Sequence, residues 1–193
     1  MQIRLVSGAG SPTTGACWMS AASYYAGEKW SDHPACVDPV IRRLCIRVND
    51  GLPSDAERER VIGPHLLVPL GTAKGRELMQ RRAFRVADEA VRVWAPMALE
   101  QRGQSGDAAT VHALAPIVDI ETARAAAAAA YAYAANAAAA YAAAAYAAAA
   151  ANVDAANAAE HLLLPLILEL CAMGRDEVPQ RRSLADLPQS VTS

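Results

Sequence analysis

The chain has 193 residues, of which 18 are basic and 20 acidic, and a formal net charge of −2. This size allows one large or two small domains, and the charge balance argues against an acidic disordered tail and against a basic protein that coats nucleic acid. About a quarter of the residues are alanine, most of them between 123 and 159. Because alanine buries little surface, we expect the core to come from residues 1–100 and from an apolar run at 162–170.

The first helices are marked by local start signals. Thr13 or Thr14 can cap a helix over residues 15–26. Asp38 followed by Pro39 is typical of a second helix start, since the aspartate caps and the proline fits the first turn.

The next helices are marked in the same way. Ser54 and Glu57 form a capping box that opens a third helix, and Thr72 precedes a longer one. We expect the arginines of this longer helix to form a solvated face; they are Arg76, Arg81, Arg82 and Arg85. Apolar residues follow the 3.6-residue period of a helix throughout, without sustained alternation. The sequence therefore predicts an all-α fold that begins with an N-terminal bundle of short helices.

The alanine-rich segment carries a larger side chain at every fifth position, namely Tyr131, Asn136, Tyr141 and Tyr146. Five residues turn a helix by about 140°, so these side chains wind around the helix and do not form a stripe. A five-residue period is also typical of pentapeptide-repeat proteins, but the large central apolar residue of that pattern is missing. Since alanine has the highest helix propensity, we predict a long helix over 120–151, followed by a Leu-rich C-terminal helix.

These elements predict three parts of the chain: a globular helical domain at 1–105, the Ala/Tyr-rich and Leu-rich helices at 106–174, and a flexible tail at 175–193. The polar segment 101–107 is the predicted linker. The alanine block is long enough to span a membrane, but alanine is nearly neutral for insertion and no aromatic or basic cluster flanks the block. We therefore expect no membrane partner.

The cysteines indicate a cellular compartment. There are four, with no CxxC pair, and the chain starts without the pattern of a secretory signal. We expect reduced thiols and a cytoplasmic protein.

The segment Gly15-Ala16-Cys17-Trp18 resembles the G-x-C-W of papain-like cysteine peptidases. In those enzymes a thiolate lies at the N-terminus of a helix, so the resemblance implies Cys17 as the nucleophile of a hydrolase. A base is also required, and His112 is the only histidine in a strand-like setting. The alternative is that Cys17 is a small core residue.

The loop between residues 28 and 38 holds the densest polar chemistry. Trp30, Asp32 and His33 lie there, close in sequence to Arg42 and Arg43 of the next helix. Aromatic stacking together with guanidinium pairing would suit a small anionic ligand such as a nucleotide. The sequence therefore predicts a ligand pocket formed by these five residues.

The same loop contains metal-ligand types at short spacing, with His33 and Cys36 as the candidate ligands. A structural zinc site normally has two paired ligand clusters, and only one is present here. The alternative is a turn that connects two helices, in which Asp32 and His33 bond to the backbone.

We expect no cofactor. Since no DNA- or RNA-binding motif is present, we also expect no nucleic-acid partner.

Between Cys17 and Asn49 the chain contains C-W-M-S-A, S-D-H-P-x-C-V and P-V-I followed by N-D. In these motifs it is similar to uncharacterised proteins encoded by bacterial and phage genomes, which also tend to carry Ala/Tyr-rich stretches further on. The resemblance implies a phage or mobile-element origin and no particular function.

Two functional hypotheses follow. The first is a non-enzymatic helical binding and assembly protein, a homo-oligomer joined through its Ala/Tyr-rich helix, because that segment is too regular to be a site and too apolar to remain uncovered. The second is a small-ligand-binding protein, or an enzyme, centred on Cys17, Trp30, Asp32, His33 and Arg42.

Overall fold

The structure is a computed structural model that describes residues 3–8, 10–101, 103–132 and 159–174. Within these ranges the chain is mostly helical, with a small hairpin of two strands, which confirms the all-α prediction. The later part of the predicted long helix, at 133–158, and the predicted tail, at 175–193, lie outside the described residues.

The elements are numbered here in chain order. Two strands open the fold and pair antiparallel, β1 at Gly10–Ser11 and β2 at Gly15–Ala16. The helices that follow are α1 at Trp18–Tyr25, α2 at Pro39–Gly51, α3 at Asp55–Ile62, α4 at Arg76–Glu89, α5 at Ala95–Gln101, α6 at Ser105–His112, α7 at Ile120–Ala132 and α8 at Leu164–Ala172. A 3-10 turn at Gly63–His65 follows α3, and π-helical turns at Ala90–Trp94 and Ala159–Leu163 precede α5 and α8.

The hairpin occupies the place predicted for the start of the first helix. Thr13 and Thr14 lie in the turn between the strands, and the residue that caps α1 is Cys17. Gly10 and Gly15 have φ values of 58° and 118°, and a Cβ at Gly10 would lie 2.0 Å from the carbonyl oxygen of Gly15. The prediction of a helix from residue 15 was therefore wrong, because two glycines with positive φ form a tight hairpin there.

The predicted starts of α2 and α3 are confirmed. The carboxylate of Asp38 accepts the backbone N–H of Val40 at 2.8 Å, and the hydroxyl of Ser54 accepts that of Glu57 at 3.2 Å. Each cap satisfies a backbone donor that the first turn of a helix leaves without a partner.

A hydrophobic core joins the N-terminal helices to α8. Trp18 is fully buried, and its indole N–H donates to the carbonyl oxygen of Leu66 at 3.1 Å. The residues that α8 buries in the same core are Leu164, Leu166, Ile167, Leu170 and Cys171. The Leu-rich helix packs against α2 and thus completes the N-terminal bundle. The domain division at residue 105 stays a prediction.

A buried arginine connects α8 to α4 and α2. The guanidinium of Arg82 donates to a carboxylate oxygen of Asp38 at 2.9 Å and to the carbonyl oxygen of Thr72 at 2.6 Å. It also donates to the carbonyl oxygens of Leu170 at 3.0 Å and Met173 at 2.8 Å. The prediction of a solvated Arg82 was wrong, because the helical period does not reveal that the C-terminal carbonyls of α8 lie against this side of α4.

Residues 95–112 form a helical hairpin. α5 and α6 pack on each other around Leu99, Ala108 and Val111. Part of the predicted linker 101–107 is therefore helical.

His112 is the last residue of α6, and its Nδ1 donates to a carbonyl oxygen at 2.7 Å, so its predicted strand-like setting was wrong.

α7 confirms the start of the predicted Ala-rich helix. The carboxylate of Asp119 accepts the backbone N–H of Thr122 at 2.8 Å and so caps the helix. Ala126 is buried, whereas Ile120 and Ala127 are exposed, so α7 has an inner and an outer face. Across the described ranges, no helix combines the length and the apolar character needed to cross a membrane.

Candidate functional site

The loop between α1 and α2 is fixed at several points. The carboxylate of Glu28 accepts the backbone N–H groups of Ala35 at 2.6 Å and Cys36 at 2.9 Å. The hydroxyl of Ser23 donates to the carbonyl oxygen of Ser31 at 2.5 Å. Partial burial acts to raise the pKa of Glu28, but the hydrogen bonds from Ala35 and Cys36 outweigh it and lower this pKa below its ordinary value. The loop is therefore held in place by a charged acceptor.

Three of the predicted ligand residues lie in this loop. His33 Nδ1 and Asp32 Oδ1 are 2.6 Å apart, and the two side chains are 60% and 40% exposed. Trp30 contacts Tyr24 edge-on, with 6.4 Å between the ring centroids. Within the described part of the chain its buried indole N–H has no hydrogen-bond partner. The aromatic ring thus packs on α1, while the Asp32–His33 pair faces solvent.

Cys17 is part of the N-terminus of α1. Its sulfur accepts the backbone N–H of Ser20 at 3.3 Å and lies 3.3 Å from the hydroxyl of the same residue. The backbone N–H of Trp18, which follows Cys17, donates to the side chain of Asn49 at 3.0 Å, so this donor is occupied and does not stabilise an oxyanion. Among the described residues, no histidine forms a hydrogen bond with this thiol. In this arrangement Cys17 is a helix cap.

The two candidate metal ligands have different surroundings. His33 is exposed, whereas burial and then a hydrogen bond with Glu28 raise the pKa of the Cys36 thiol. A raised pKa disfavours the thiolate that binds a metal ion. In the parts of the chain that the structure describes, no group of three or more His, Cys, Asp or Glu side chains could hold a metal ion.

An open cleft of about 480 Å³ lies between the 34–38 loop and the first turns of α2 and α4. Its larger apolar lining residues come from all three elements and are Pro34, Val37, Pro39 and Met79. Arg42 of α2 and Arg76 of α4 also line the cleft, and Asp38 lies at the junction of the loop and α2.

The cleft carries uncompensated positive charge. Asp38 is already paired with Arg82, and both side chains are 1% exposed. Five arginines that do not line the cleft have carboxylate partners. They are Arg58, Arg60, Arg82, Arg85 and Arg92. Over the described ranges, the guanidinium groups of Arg42 and Arg76 form neither an ion pair nor a hydrogen bond. The arrangement can therefore attract an anion.

A second feature is the apolar surface at the start of α7. Val118 is 65% exposed and Ile120 is 55% exposed. Both are larger fractions than that of Leu67, which is 49% exposed near the end of the 3-10 turn. Large aliphatic side chains at this exposure leave apolar area in water.

The cleft brings together one residue of the predicted ligand pocket and an arginine that was not predicted there. Arg42 lines the cleft, whereas Trp30, Asp32, His33 and Arg43 do not. Sequence reasoning missed Arg76, because only the packing of α4 near α2 brings it to the same cleft as Arg42. Gly75 signals where α4 begins but not which residues face α2. Comparison with known proteins finds no family model, no curated protein and no solved structure that matches this chain.

Proposed function

We propose that the protein is a non-enzymatic binding and assembly protein that self-associates through the outer face of α7. The observation that supports this proposal is the exposure of Val118 and Ile120 at the start of a helix that leads into uncharged sequence. Between Arg124 and Asp154 the chain has no charged residue. A monomer would leave this apolar face in contact with water.

The register of α7 defines the proposed contact. Ile120, Arg124 and Ala127 follow the i, i+4, i+7 spacing of one helix face, and all three are exposed. Beyond Arg124 a continuing helix would present mainly alanine and tyrosine on this side. Alanine projects little from a helix, so the axes of two such helices can approach to about 8 Å. Two copies related by a two-fold axis would cover each other's faces.

The test is the mass of the full chain in solution over a range of concentrations, measured by light scattering. We expect a mass that rises above the 20.3 kDa of one chain. The double variant Ile120→Lys with Ala127→Lys should remain a monomer at concentrations at least about tenfold higher, because it adds two positive charges beside Arg124 to each face of the pair.

Matched controls are available on other elements. Ala109→Lys changes an exposed alanine of α6, and Leu67→Lys changes an exposed leucine outside α7. Both control variants should associate as the unchanged chain does. A wild-type chain that is monomeric at every concentration would contradict the proposal, as would equal weakening by the controls.

A further inference from the structure

We propose that the cleft between the 34–38 loop, α2 and α4 binds a small phosphate monoester, with Arg42 and Arg76 contacting the phosphate. This site is independent of the outer face of α7. Its volume of about 480 Å³ lies within the range of about 300–1,000 Å³ that is usual for small-molecule sites. The cleft is open, so a ligand can enter without unfolding of its walls.

The charge of the cleft selects an anion. Arg42 is half-buried and Arg76 is exposed, and both line the cleft from different helices. The carboxylate of Asp38 is occupied by Arg82 at 2.9 Å, so it does not neutralise them. Glu77 follows Arg76 in α4 but does not line the cleft. Two guanidinium groups suit a dianion, and a phosphate monoester carries a charge of about −1.5 to −2 at neutral pH.

The lining of the cleft selects an organic ester over inorganic phosphate. Pro39 and Met79 offer accessible apolar surface in the same cleft as the two arginines, whereas Pro34 and Val37 are buried and form its floor. An apolar or planar organic group can bury its surface on these side chains while the phosphate accepts hydrogen bonds from the guanidinium groups. Inorganic phosphate would gain the hydrogen bonds alone.

The walls of the cleft are fixed without a ligand. The backbone N–H of Ala73 donates to the carbonyl oxygen of Cys36 at 3.0 Å, which joins the loop to the segment before α4. The backbone N–H of Asp38 donates to the hydroxyl of Thr72 at 3.0 Å, which makes a second connection. A site that is formed before binding loses little free energy to rearrangement.

The experiment is calorimetric titration of the full chain with phenyl phosphate at low ionic strength. We expect saturable binding, and weaker binding of inorganic phosphate and of benzyl alcohol, since each lacks one part of the ligand. Arg42→Gln and Arg76→Gln should each weaken the binding of phenyl phosphate by about tenfold or more, because each removes a charged hydrogen-bond donor. Chemical shifts of the Ala35 and Ala73 amides should change on titration.

The controls are unpaired arginines on the same two helices. Arg43→Gln on α2 and Arg81→Gln on α4 change exposed residues that do not line the cleft. Both control variants should bind phenyl phosphate within about twofold of the unchanged chain. Absence of saturable binding to the wild type would overturn the proposal. Equal losses in the control variants would also overturn it, and tighter binding of phthalate than of phenyl phosphate would overturn the choice of phosphate.

Discussion

Arg82 is a single side chain whose hydrogen bonds join α4 to the start of α2 and to the end of α8. Its guanidinium bonds to the Asp38 carboxylate and to three backbone carbonyl oxygens while the side chain is 1% exposed. A buried ion pair adds little net stability over apolar residues of the same volume, but removal of one partner leaves a buried charge and unpaired carbonyls. We therefore expect the loss of either partner alone to cost more than the pair contributes over apolar residues.

Arg82→Ala should lower the free energy of unfolding by about 3–5 kcal/mol, because Asp38 then remains buried without a counter-charge. Arg81→Ala, at the exposed neighbouring position, should change it by less than about 0.5 kcal/mol. Urea denaturation followed by tryptophan fluorescence measures both. Similar losses in the two variants would show that the network does not contribute in this way.

At the scale of elements, the features that the sequence predicted correctly are those with local causes. The caps at Asp38 and Ser54 depend on side chains within three residues of the helix start, and both are present. Of the predicted capping box only the bond to Ser54 is formed, because the carboxylate of Glu57 pairs with Arg60. The hairpin depends on a close approach of Gly10 and Gly15, which a helical reading of the residues after Thr14 does not contain. The hairpin is therefore decided by a contact across a turn, between residues five positions apart, which the helical period does not reveal.

The residues of the candidate site also divide into those with a local sequence signal and those placed by packing between helices. Arg42 could be identified, because it lies in the first turns of a helix whose start was predictable from Asp38 and Pro39. Arg76 could not be assigned to the cleft, since its position beside Arg42 depends on the packing of α4 with α2. The sequence predicts His33 as a ligand residue together with Arg42; in the structure His33 pairs with Asp32, is exposed and does not line the cleft.

The contacts at the start of α1 predict a structural role for a cysteine. Cys17→Ala removes the acceptor of the Ser20 N–H and should lower the free energy of unfolding by about 0.5–2 kcal/mol. Cys17→Ser keeps an acceptor at the cap and should lose less. Thermal unfolding of the two variants distinguishes them. A stability of Cys17→Ala equal to that of the unchanged chain would exclude the capping role.

At the scale of the whole molecule, α8 belongs to the same core as the residues near the N-terminus. All three tryptophans, Trp18, Trp30 and Trp94, lie before residue 105, so their fluorescence reports on that part of the chain. Ile167 is fully buried in the shared core. A chain cut before Ile120 would lose α8 with α7, and it is therefore unsuitable for a test of self-association.

Ile167→Ala should lower the stability of the entire core by about 2–5 kcal/mol. If α8 and the N-terminal helices unfold together, urea curves from tryptophan fluorescence and from far-ultraviolet circular dichroism should shift equally. Ala172→Ser, at an exposed position of α8, is the control and should leave both curves in place. A fluorescence curve that does not move in Ile167→Ala would instead support separate domains.

The sequence separation between Arg82 and α8 also delays the formation of these bonds during protein synthesis. Arg82 and its acceptor Leu170 are 88 residues apart in the chain. At about 5–20 residues per second, the ribosome needs several seconds to make the intervening segment. During this time the emerging chain carries the apolar face of α2 without the helix that packs on it, and we expect the shared core to close only after translation has passed Cys171. Such a nascent chain offers chaperones a long interval for binding.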